Sequence, residues 1–266
     1  RFGDMSKRYP KCLLPYKNKP ILYWNITTMI ECGCDKVVIV VNHGKEKIME
    51  MVEFFRLDGY VTFVEYDRDD GPAGSICAGM ETNMTEEGDS CLILLSDIMV
   101  NATELREAMA DAKAHSMNFF GVQEVQNYSR FCMVDAETNI LYDKPTTKPP
   151  TNLALSGIYY ISNVPSYMKF ENVEYDGEFE ISCMLQPYLR AKKNDIEYIK
   201  FEIKDFGTLH DYLDNREVSQ SRNFNTITMD RHEATKASYT NPEKIYKEYC
   251  WLTNLPSSLV RYTPRI

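Results

Sequence analysis

Residues 36–41 read KVVIVV, a lysine followed by an unbroken run of β-branched side chains. Such a run fits a strand that is buried on both faces, as in a parallel sheet covered by helices. Apolar residues recur at helical spacing over 21–30 before this run and over 45–55 after it. The stretch therefore predicts one buried β-strand between two helices.

The same alternation continues along the chain. Strands are predicted over 60–66, 91–95, 153–161 and 196–202, and helices over 76–80, 103–114, 177–189 and 212–217. Thr103 is placed to cap the helix predicted over 103–114. Strands that alternate with helices predict an α/β fold, a doubly wound, mostly parallel sheet flanked by helices.

Composition narrows the classes of partner. A formal net charge of −9 over 266 residues argues against nucleic acid as the main partner, because nucleic-acid binding needs a basic face. No apolar run approaches the roughly 18 residues that cross a bilayer, so no membrane partner is expected. The eight cysteines lie mostly in apolar runs without paired metal-like spacing. This favours reduced core thiols in a cytoplasmic protein.

Charged residues follow the predicted strands, at the edge where ligands bind in such sheets. Asp97 and Asp205 each come after a predicted strand, and Lys11 and Lys144 each stand beside a proline. Two converging carboxylates beside lysines can hold a Mg²⁺ ion and a nucleoside triphosphate. On spacing alone, solvated lysines and helix-capping aspartates are the favoured explanation of these residues.

A glycine-rich segment, Gly71-Pro72-Ala73-Gly74-Ser75, follows the predicted strand 60–66. Its glycines would allow a flat or anionic ligand to approach the backbone closely. A simple tight turn has a similar sequence. The segment alone therefore leaves both interpretations open.

The first twenty residues, RFGDMSKRYPKCLLPYKNKP, group basic side chains around a glycine and several prolines. A loop of this kind is suited to wrapping a phosphate chain. It starts with no strand before it to hold it in place. We therefore expect that a leading strand and its Gly-rich turn are missing from this chain.

Five motifs in the expected order resemble those of the sugar-1-phosphate nucleotidyltransferases, or nucleotide-sugar pyrophosphorylases. They are RFGDMSKRYPKCLLPYKNKPIL at 1–22, LLSD at 94–97, YDKP at 142–145, SGIYYIS at 156–162 and KDFGTLHDYLDNRE at 204–217. The resemblance covers about residues 1–220. It implies a Rossmann-like, GT-A-like sheet and a nucleotidyltransferase domain over 1–221.

The resemblance also implies a role for each matching residue. Arg1 and Lys11 would hold the triphosphate as catalytic residues, and Asp97 and Asp205 would bind Mg²⁺. Gly71, Pro72, Ala73, Gly74 and Ser75 would line the base and ribose, while Asp143, Lys144 and Gly157 would face the acceptor. The implied partners are a nucleoside triphosphate and a small phosphorylated acceptor, most simply a sugar 1-phosphate for surface-polysaccharide synthesis. The oligomeric state stays open, a homo-oligomer included.

The chain also departs from the family pattern. Ser96 stands where the family's metal strand usually has glycine, and the segment 71–75 lacks the glutamine of the thymidine and uridine enzymes. Cytidine or guanosine triphosphate therefore stays open, as does a non-sugar acceptor such as phosphocholine. A non-catalytic nucleotide-sugar-binding subunit is a further alternative. A GT-A-like glycosyltransferase is disfavoured, because the strand end lacks Asp-x-Asp.

Residues 222–266 form either a C-terminal arm or the start of a second domain. They resemble the beginning of a kinase-like small-molecule phosphotransferase lobe. That resemblance implies Lys236 on a strand and Glu248 on the following helix, joined as an ion pair.

Overall fold

The computed structural model describes residues 9–68, 71–83, 89–164, 179–191, 195–215, 226–229, 233–238 and 240–260. Arg1 and the domain boundary near residue 221 lie outside this part of the chain, as does the expected leading strand. The role of Arg1, the position of the boundary and the absence of the strand therefore stay predictions.

Strands and helices alternate in the first half as predicted. The elements are β1 (Pro15–Tyr16), β2 (Lys19–Pro20), α1 (Ile21–Glu31), β3 (Val37–Val41), α2 (Lys45–Phe54), β4 (Val61–Glu65), α3 (Pro72–Asn83), β5 (Cys91–Leu94), β6 (Ile98–Val100) and α4 (Ala102–His115). The cap of α4 is Asn101 and not the predicted Thr103. The Asn101 side chain accepts hydrogen bonds from the backbone N–H groups of Thr103 and Glu104, which places it one residue before the helix.

The second half supplies most of the main sheet. Its elements are β7 (Asn118–Glu124), β8 (Cys132–Asp135), β9 (Ile140–Asp143), β10 (Leu153–Ile161), α5 (Ile181–Ala191), β11 (Ile196–Lys200), β12 (Ile203–Asp205), α6 (Leu209–Asn215), β13 (Thr226–Met229), β14 (Ala234–Ala237), α7 (Pro242–Thr253) and α8 (Ser257–Val260). Among the described helices, none combines the length and the apolar character that crossing a bilayer requires.

The strand β10 is the centre of the main sheet. It runs antiparallel to β7 on one side and to β8 and β5 on the other, while β11 runs parallel to β7. The predicted α/β sheet with flanking helices is confirmed. Its strand directions are mixed, because a long strand arriving from the β8–β9 hairpin enters the sheet in the opposite direction to β5 and β7.

Alternate residues of β7 and β10 point to two cores on opposite faces of the sheet. Phe120 and Tyr159 pack with residues of α3 and α5. Phe119 and Tyr160 pack with residues of α4, including the fully buried Leu105. In the described residues, helices therefore cover both faces of the sheet, and ligands are expected at the edge where strands end.

Gly157 allows β10 to change register in the middle of the sheet. Its φ is +83°, and the pairing with β7 shifts between Leu155 and Tyr159. A Cβ on Gly157 would lie 2.9 Å from Leu95 Cδ1 and 3.2 Å from Ile98 Cδ1. The absent side chain thus makes room for the two residues that bracket the Ser96-Asp97 turn.

We expect Gly157→Ala to destabilise the protein more than Gly33→Ala does. Gly33 has a similar φ of +80° but open space at its Cβ position, so its substitution costs only backbone strain. Crowding at Gly157 should add about 1–3 kcal/mol to that cost. Urea unfolding of both variants measures the difference. Equal losses would mean that the contact with Leu95 and Ile98 relaxes freely.

A cleft of about 620 Å³ separates β3 from β5. Both strands contribute to its lining, together with α1 and α3. In the described part of the chain, β3 pairs with β4 and β5 pairs with β10. The β3–β4 pair is therefore joined to the main sheet through packing and not through strand hydrogen bonds within those residues.

The C-terminal residues form the predicted ion pair. Lys236 lies on β14, in a hairpin with β13, and its Nζ contacts Glu248 Oε2 on α7. The predicted pairing of a strand lysine with a helix glutamate is confirmed. The kinase-like character of this segment stays a prediction.

Candidate functional site

A short strand pairing brings Asp97 and Asp205 together. Asp97 lies in the turn between β5 and β6, and Asp205 is the last residue of β12. The strands β6 and β12 are antiparallel, with Asp205 opposite Ile98, and the Phe206 N–H donates to the Asp97 carbonyl at 2.8 Å. Two residues that are remote in sequence therefore reach the same end of the sheet.

Both carboxylates face the same point beside Gly207. A Cβ built on Gly207 would lie 3.0 Å from Asp205 Oδ1 and 3.6 Å from Asp97 Oδ2. Glycine thus leaves open a space that the two carboxylates border. Mg²⁺ is commonly held by one or two carboxylates together with substrate phosphates, and this donor set fits that pattern. Among the described residues, no group of three or more His, Cys, Asp and Glu side chains has metal-binding geometry.

Lys11 contacts one of the two carboxylates directly. Its Nζ lies 2.8 Å from Asp97 Oδ2, and about a quarter of each side chain is exposed. Lys11 begins a 3₁₀ turn, Lys11–Leu13, whose Cys12 and Leu13 are buried. Burial raises the pKa of the Cys12 thiol to about 12, so this neighbour stays protonated. The turn therefore fixes one cation beside Asp97 without adding a nucleophile.

The surroundings of Asp205 disfavour its negative charge. Burial raises the pKa of Asp205, and the nearby Asp97 and Asp211 carboxylates add to the rise. A hydrogen bond from the Gly207 N–H, 2.7 Å from Asp205 Oδ1, and the Arg130 guanidinium act in the opposite direction. A buried carboxylate near other carboxylates is stabilised by a bound cation.

Two further charged residues lie next to this pair. Arg130 Nη2 donates to Asp211 Oδ2 at 2.9 Å, and Thr208 Oγ1 donates to the same oxygen. Although burial raises it, these hydrogen bonds hold the pKa of Asp211 below its ordinary value. The ion pair links the turn before β8 to the helix that follows Asp205.

The predicted acceptor residues Asp143 and Lys144 lie at the end of β9. Lys144 Nζ contacts Glu180 Oε1, and the Lys144 N–H donates to the Phe131 carbonyl at 3.0 Å. Burial and the Glu180 carboxylate raise the pKa of Asp143, against the effects of Lys144 and Ser182. One lysine and two carboxylates therefore form a second polar group.

The third predicted acceptor residue, Gly157, lies on β10 within the sheet. Asp143 lies opposite Cys132 of β8, and the next residue of β8, Met133, lies opposite Ala154 of β10. The contacts that require glycine at 157 are those with Leu95 and Ile98. A role in facing the acceptor stays a prediction.

The predicted nucleotide segment borders a cavity of about 240 Å³ at the ends of β3 and β4. Gly71, Pro72 and Ser75 line it, together with Asn42, Tyr66, Arg68 and the end of β3. Ala73 is fully buried in the core on the α3 side. A Cβ on Gly71 would lie 2.6 Å from the Phe179 carbonyl oxygen, so this glycine also serves packing.

The loop that follows β3 lines this cavity and also contacts Pro10, the residue before the Lys11 turn. A Cβ on Gly44 would lie 2.7 Å from Pro10 Cγ, so Pro10 packs on the loop that follows β3. Asn42 belongs to that loop and lines the cavity. The residue that precedes Lys11 therefore contacts the loop that lines this cavity.

Sequence reasoning missed Arg130, Glu180, Gly207 and Asp211. Thr208 and Asp211 have the spacing of a capping box, and the Asp211 N–H does donate to Thr208 Oγ1 at 3.1 Å. That spacing could have identified Asp211 as a residue that caps the helix with Thr208. Arg130 is 81 residues from Asp211 and has no comparable local signal.

Comparison with known proteins agrees with this architecture. The nucleotidyl transferase family matches residues 1–221. The low-salt glycan biosynthesis nucleotidyltransferase of Haloferax volcanii is 29% identical over 82% of this chain, which spans 62% of that protein's length. The UTP–glucose-1-phosphate uridylyltransferase of Bacillus subtilis is 23% identical over 75% of this chain and 78% of its own length.

Solved structures show the same fold. A crystal structure described as a glucose-1-phosphate thymidylyltransferase from Bacillus anthracis superposes with a TM-score of 0.67 at 20% identity, covering 83% of this chain and 92% of its own. UDP-glucose pyrophosphorylase complexed with UDP-glucose also has a TM-score of 0.67, at 18% identity, covering 80% and 91%. With a family match that extends over most of its length, the chain belongs to the nucleotidyl transferase family.

Proposed function

We propose that the full-length protein transfers a nucleoside monophosphate from a nucleoside triphosphate to a sugar 1-phosphate and releases pyrophosphate. The observation that carries this proposal is the cluster of Lys11, Asp97 and Asp205, which three remote segments bring to one sheet edge. This cluster combines a fixed cation with two carboxylates that border a common space.

In the proposed reaction, a phosphate oxygen of the acceptor forms a bond to the α-phosphorus of the triphosphate. The bond from that phosphorus to the bridging oxygen breaks, and pyrophosphate leaves. Asp97 and Asp205 would hold Mg²⁺, which when bound neutralises phosphate charge. Lys11 would leave Asp97 to contact the α-phosphate. Positioning and charge stabilisation are sufficient for such a transfer, so no covalent nucleophile is required.

The acceptor would lie between this cluster and the group of Asp143, Lys144 and Glu180. Lys144 supplies a cation for the acceptor's phosphate, and carboxylates of this kind can accept hydrogen bonds from sugar hydroxyls. A second candidate is transfer to phosphocholine. The Asp143 carboxylate favours it, because a carboxylate beside the Lys144–Glu180 ion pair could offset a quaternary ammonium.

The nucleotide would lie over the cavity bordered by Gly71, Pro72 and Ser75. Asn42, Tyr66 and Arg68 also line this cavity and would contact the nucleotide, whose base the substrate screen identifies. The names of the relatives support a role in nucleotide-sugar synthesis. The haloarchaeal relative's role in glycan biosynthesis supports a surface-polysaccharide precursor as the product.

A substrate screen tests the proposal. The full-length protein is incubated with Mg²⁺, each of four nucleoside triphosphates and a panel of hexose 1-phosphates and phosphocholine. We expect pyrophosphate release with a sugar 1-phosphate and one preferred triphosphate. Pyrophosphate release with phosphocholine but with none of the sugar 1-phosphates would identify phosphocholine as the acceptor. Nucleotide-sugar binding without pyrophosphate release would indicate the non-catalytic alternative.

A further inference from the structure

Arg130 lies between the two polar groups of the site, and the proposed reaction assigns it no role. It ends the 3₁₀ turn Tyr128–Arg130 before β8. The adjacent Phe131 carbonyl accepts the Lys144 N–H, so this turn is attached to the acceptor side. The Arg130 guanidinium, in contrast, donates to Asp211, which lies near the proposed metal ligand Asp205. The residue therefore connects two parts of the site by one ion pair.

The far end of that ion pair belongs to a hydrogen-bonded turn that holds Asp205. Thr208 Oγ1 donates to Asp211 Oδ2, and the Gly207 N–H donates to Asp205 Oδ1. The Asn215 side chain donates to the Asp205 carbonyl at 2.9 Å. Any displacement of Asp211 would therefore be transmitted through Thr208 and Gly207 to the Asp205 carboxylate.

The same helix is attached to the loop that carries Lys11. The Tyr212 hydroxyl donates to the Pro15 carbonyl at 2.9 Å, just after the Lys11 turn. The helix α6 thus contacts Asp205 through Asn215 and the segment after Lys11 through Tyr212. Through the Asp211–Arg130 ion pair it also contacts the turn next to Lys144.

We propose that Arg130 is a positioning residue that, paired with Asp211, holds the Asp205 turn in the geometry needed to bind a divalent cation. This inference rests on the proposed function, because it assumes that Asp97 and Asp205 bind a metal. Partners that orient metal ligands typically contribute about 10- to 100-fold to metal affinity.

The sign of the effect distinguishes positioning from simple charge. Arg130 is a cation close to the site, so by charge alone its removal should strengthen the binding of another cation. If Arg130 acts by positioning, its removal should weaken that binding. The charge-neutral pair of changes, Arg130→Met with Asp211→Asn, removes the net charge effect and leaves only the lost positioning.

The experiment measures the affinity of Mn²⁺ alone for the full-length protein by electron paramagnetic resonance of the free ion. We expect Arg130→Met to weaken binding about tenfold, Arg130→Lys to lie closer to the wild type, and the double variant to resemble Arg130→Met. Lys247→Met is the matched control. It removes a lysine from the exposed ion pair with Glu243 within α7, a helix that carries none of the proposed site residues, and should leave the affinity unchanged.

The outcomes separate the inference from the proposed function. Equal or tighter Mn²⁺ binding by Arg130→Met, or a return to wild-type affinity in the double variant, would overturn the positioning role alone. Binding that is the same in the wild type and in Asp97→Asn would overturn the metal site and the positioning role together. Unfolding midpoints, measured in parallel, identify any variant whose loss of affinity comes from unfolding. If Arg130→Met unfolds, Arg130→Lys is the test: affinity close to the wild type supports the positioning role, and affinity above the wild type overturns it.

Discussion

Replacing Asp97 or Asp205 by Asn should abolish metal-dependent nucleotidyl transfer while leaving the protein folded. A bound metal contributes several kcal/mol to transition-state stabilisation, and about 4 kcal/mol corresponds to a factor of about a thousand in rate. We therefore expect turnover to fall at least about a thousandfold in either variant. Initial rates of pyrophosphate release at saturating triphosphate measure this loss.

The stability of the same variants gives an independent check. Burial raises the pKa of Asp205, so its charged form is disfavoured in the fold, and a neutral Asn should not destabilise the protein. Asp97→Asn loses a partly exposed ion pair with Lys11, which is worth less than about 1 kcal/mol. Free energies of unfolding should stay within about 1 kcal/mol of the wild type. A variant that unfolds would show that the carboxylate is structural and not a metal ligand.

Lys11→Ala should mainly lower the turnover number, by about 100- to 1,000-fold. The ammonium group would act on charge that develops at the α-phosphate in the transition state, so its loss affects the rate more than substrate binding. Steady-state kinetics with both substrates varied separates kcat from the two KM values. Lys11→Arg is the control, because it keeps the charge at this position.

A second measurement separates Lys11 from the metal ligands. Lys11 Nζ lies 2.8 Å from Asp97 Oδ2, so its removal should leave Mn²⁺ affinity equal or tighter, in contrast to Asp97→Asn. An effect of Lys11→Ala that is confined to the acceptor's KM would contradict its role at the α-phosphate. Weaker Mn²⁺ binding would indicate that Lys11 only orients Asp97.

Local pattern was sufficient for the strand β3 and the helices on either side of it. The β-branched run at 36–41 and its flanking helices appear as β3, α1 and α2, because burial and helical periodicity both act within a few residues. The mixed direction of the main sheet could not be predicted in this way. It depends on β10, whose pairings with β5, β7 and β8 join segments far apart in the chain.

The site was likewise predictable only in part from local sequence pattern. Asp97 and Asp205 stand at strand ends, and each could be identified as a candidate ligand. Their proximity depends on the three-residue pairing of β6 with β12, which has no periodic signature. Arg130 could not be found from sequence, because its partner Asp211 is 81 residues away. Thr103 is not the cap because the helix begins at Ala102. The Asn101 side chain accepts from the N–H groups of Thr103 and Glu104, so Thr103 lies within the first turn.

The most direct test of the central claim follows the α-phosphorus itself. A triphosphate labelled in its α-phosphate is incubated with the full-length protein, Mg²⁺ and the preferred sugar 1-phosphate, beside Asp97→Asn as the control. The wild type should place the label in a nucleotide sugar and release unlabelled pyrophosphate, while the variant leaves the label in the triphosphate. Label that stays in the triphosphate with the wild type, although the nucleotide binds, would contradict the assignment of Lys11, Asp97 and Asp205 as a nucleotidyl-transfer site.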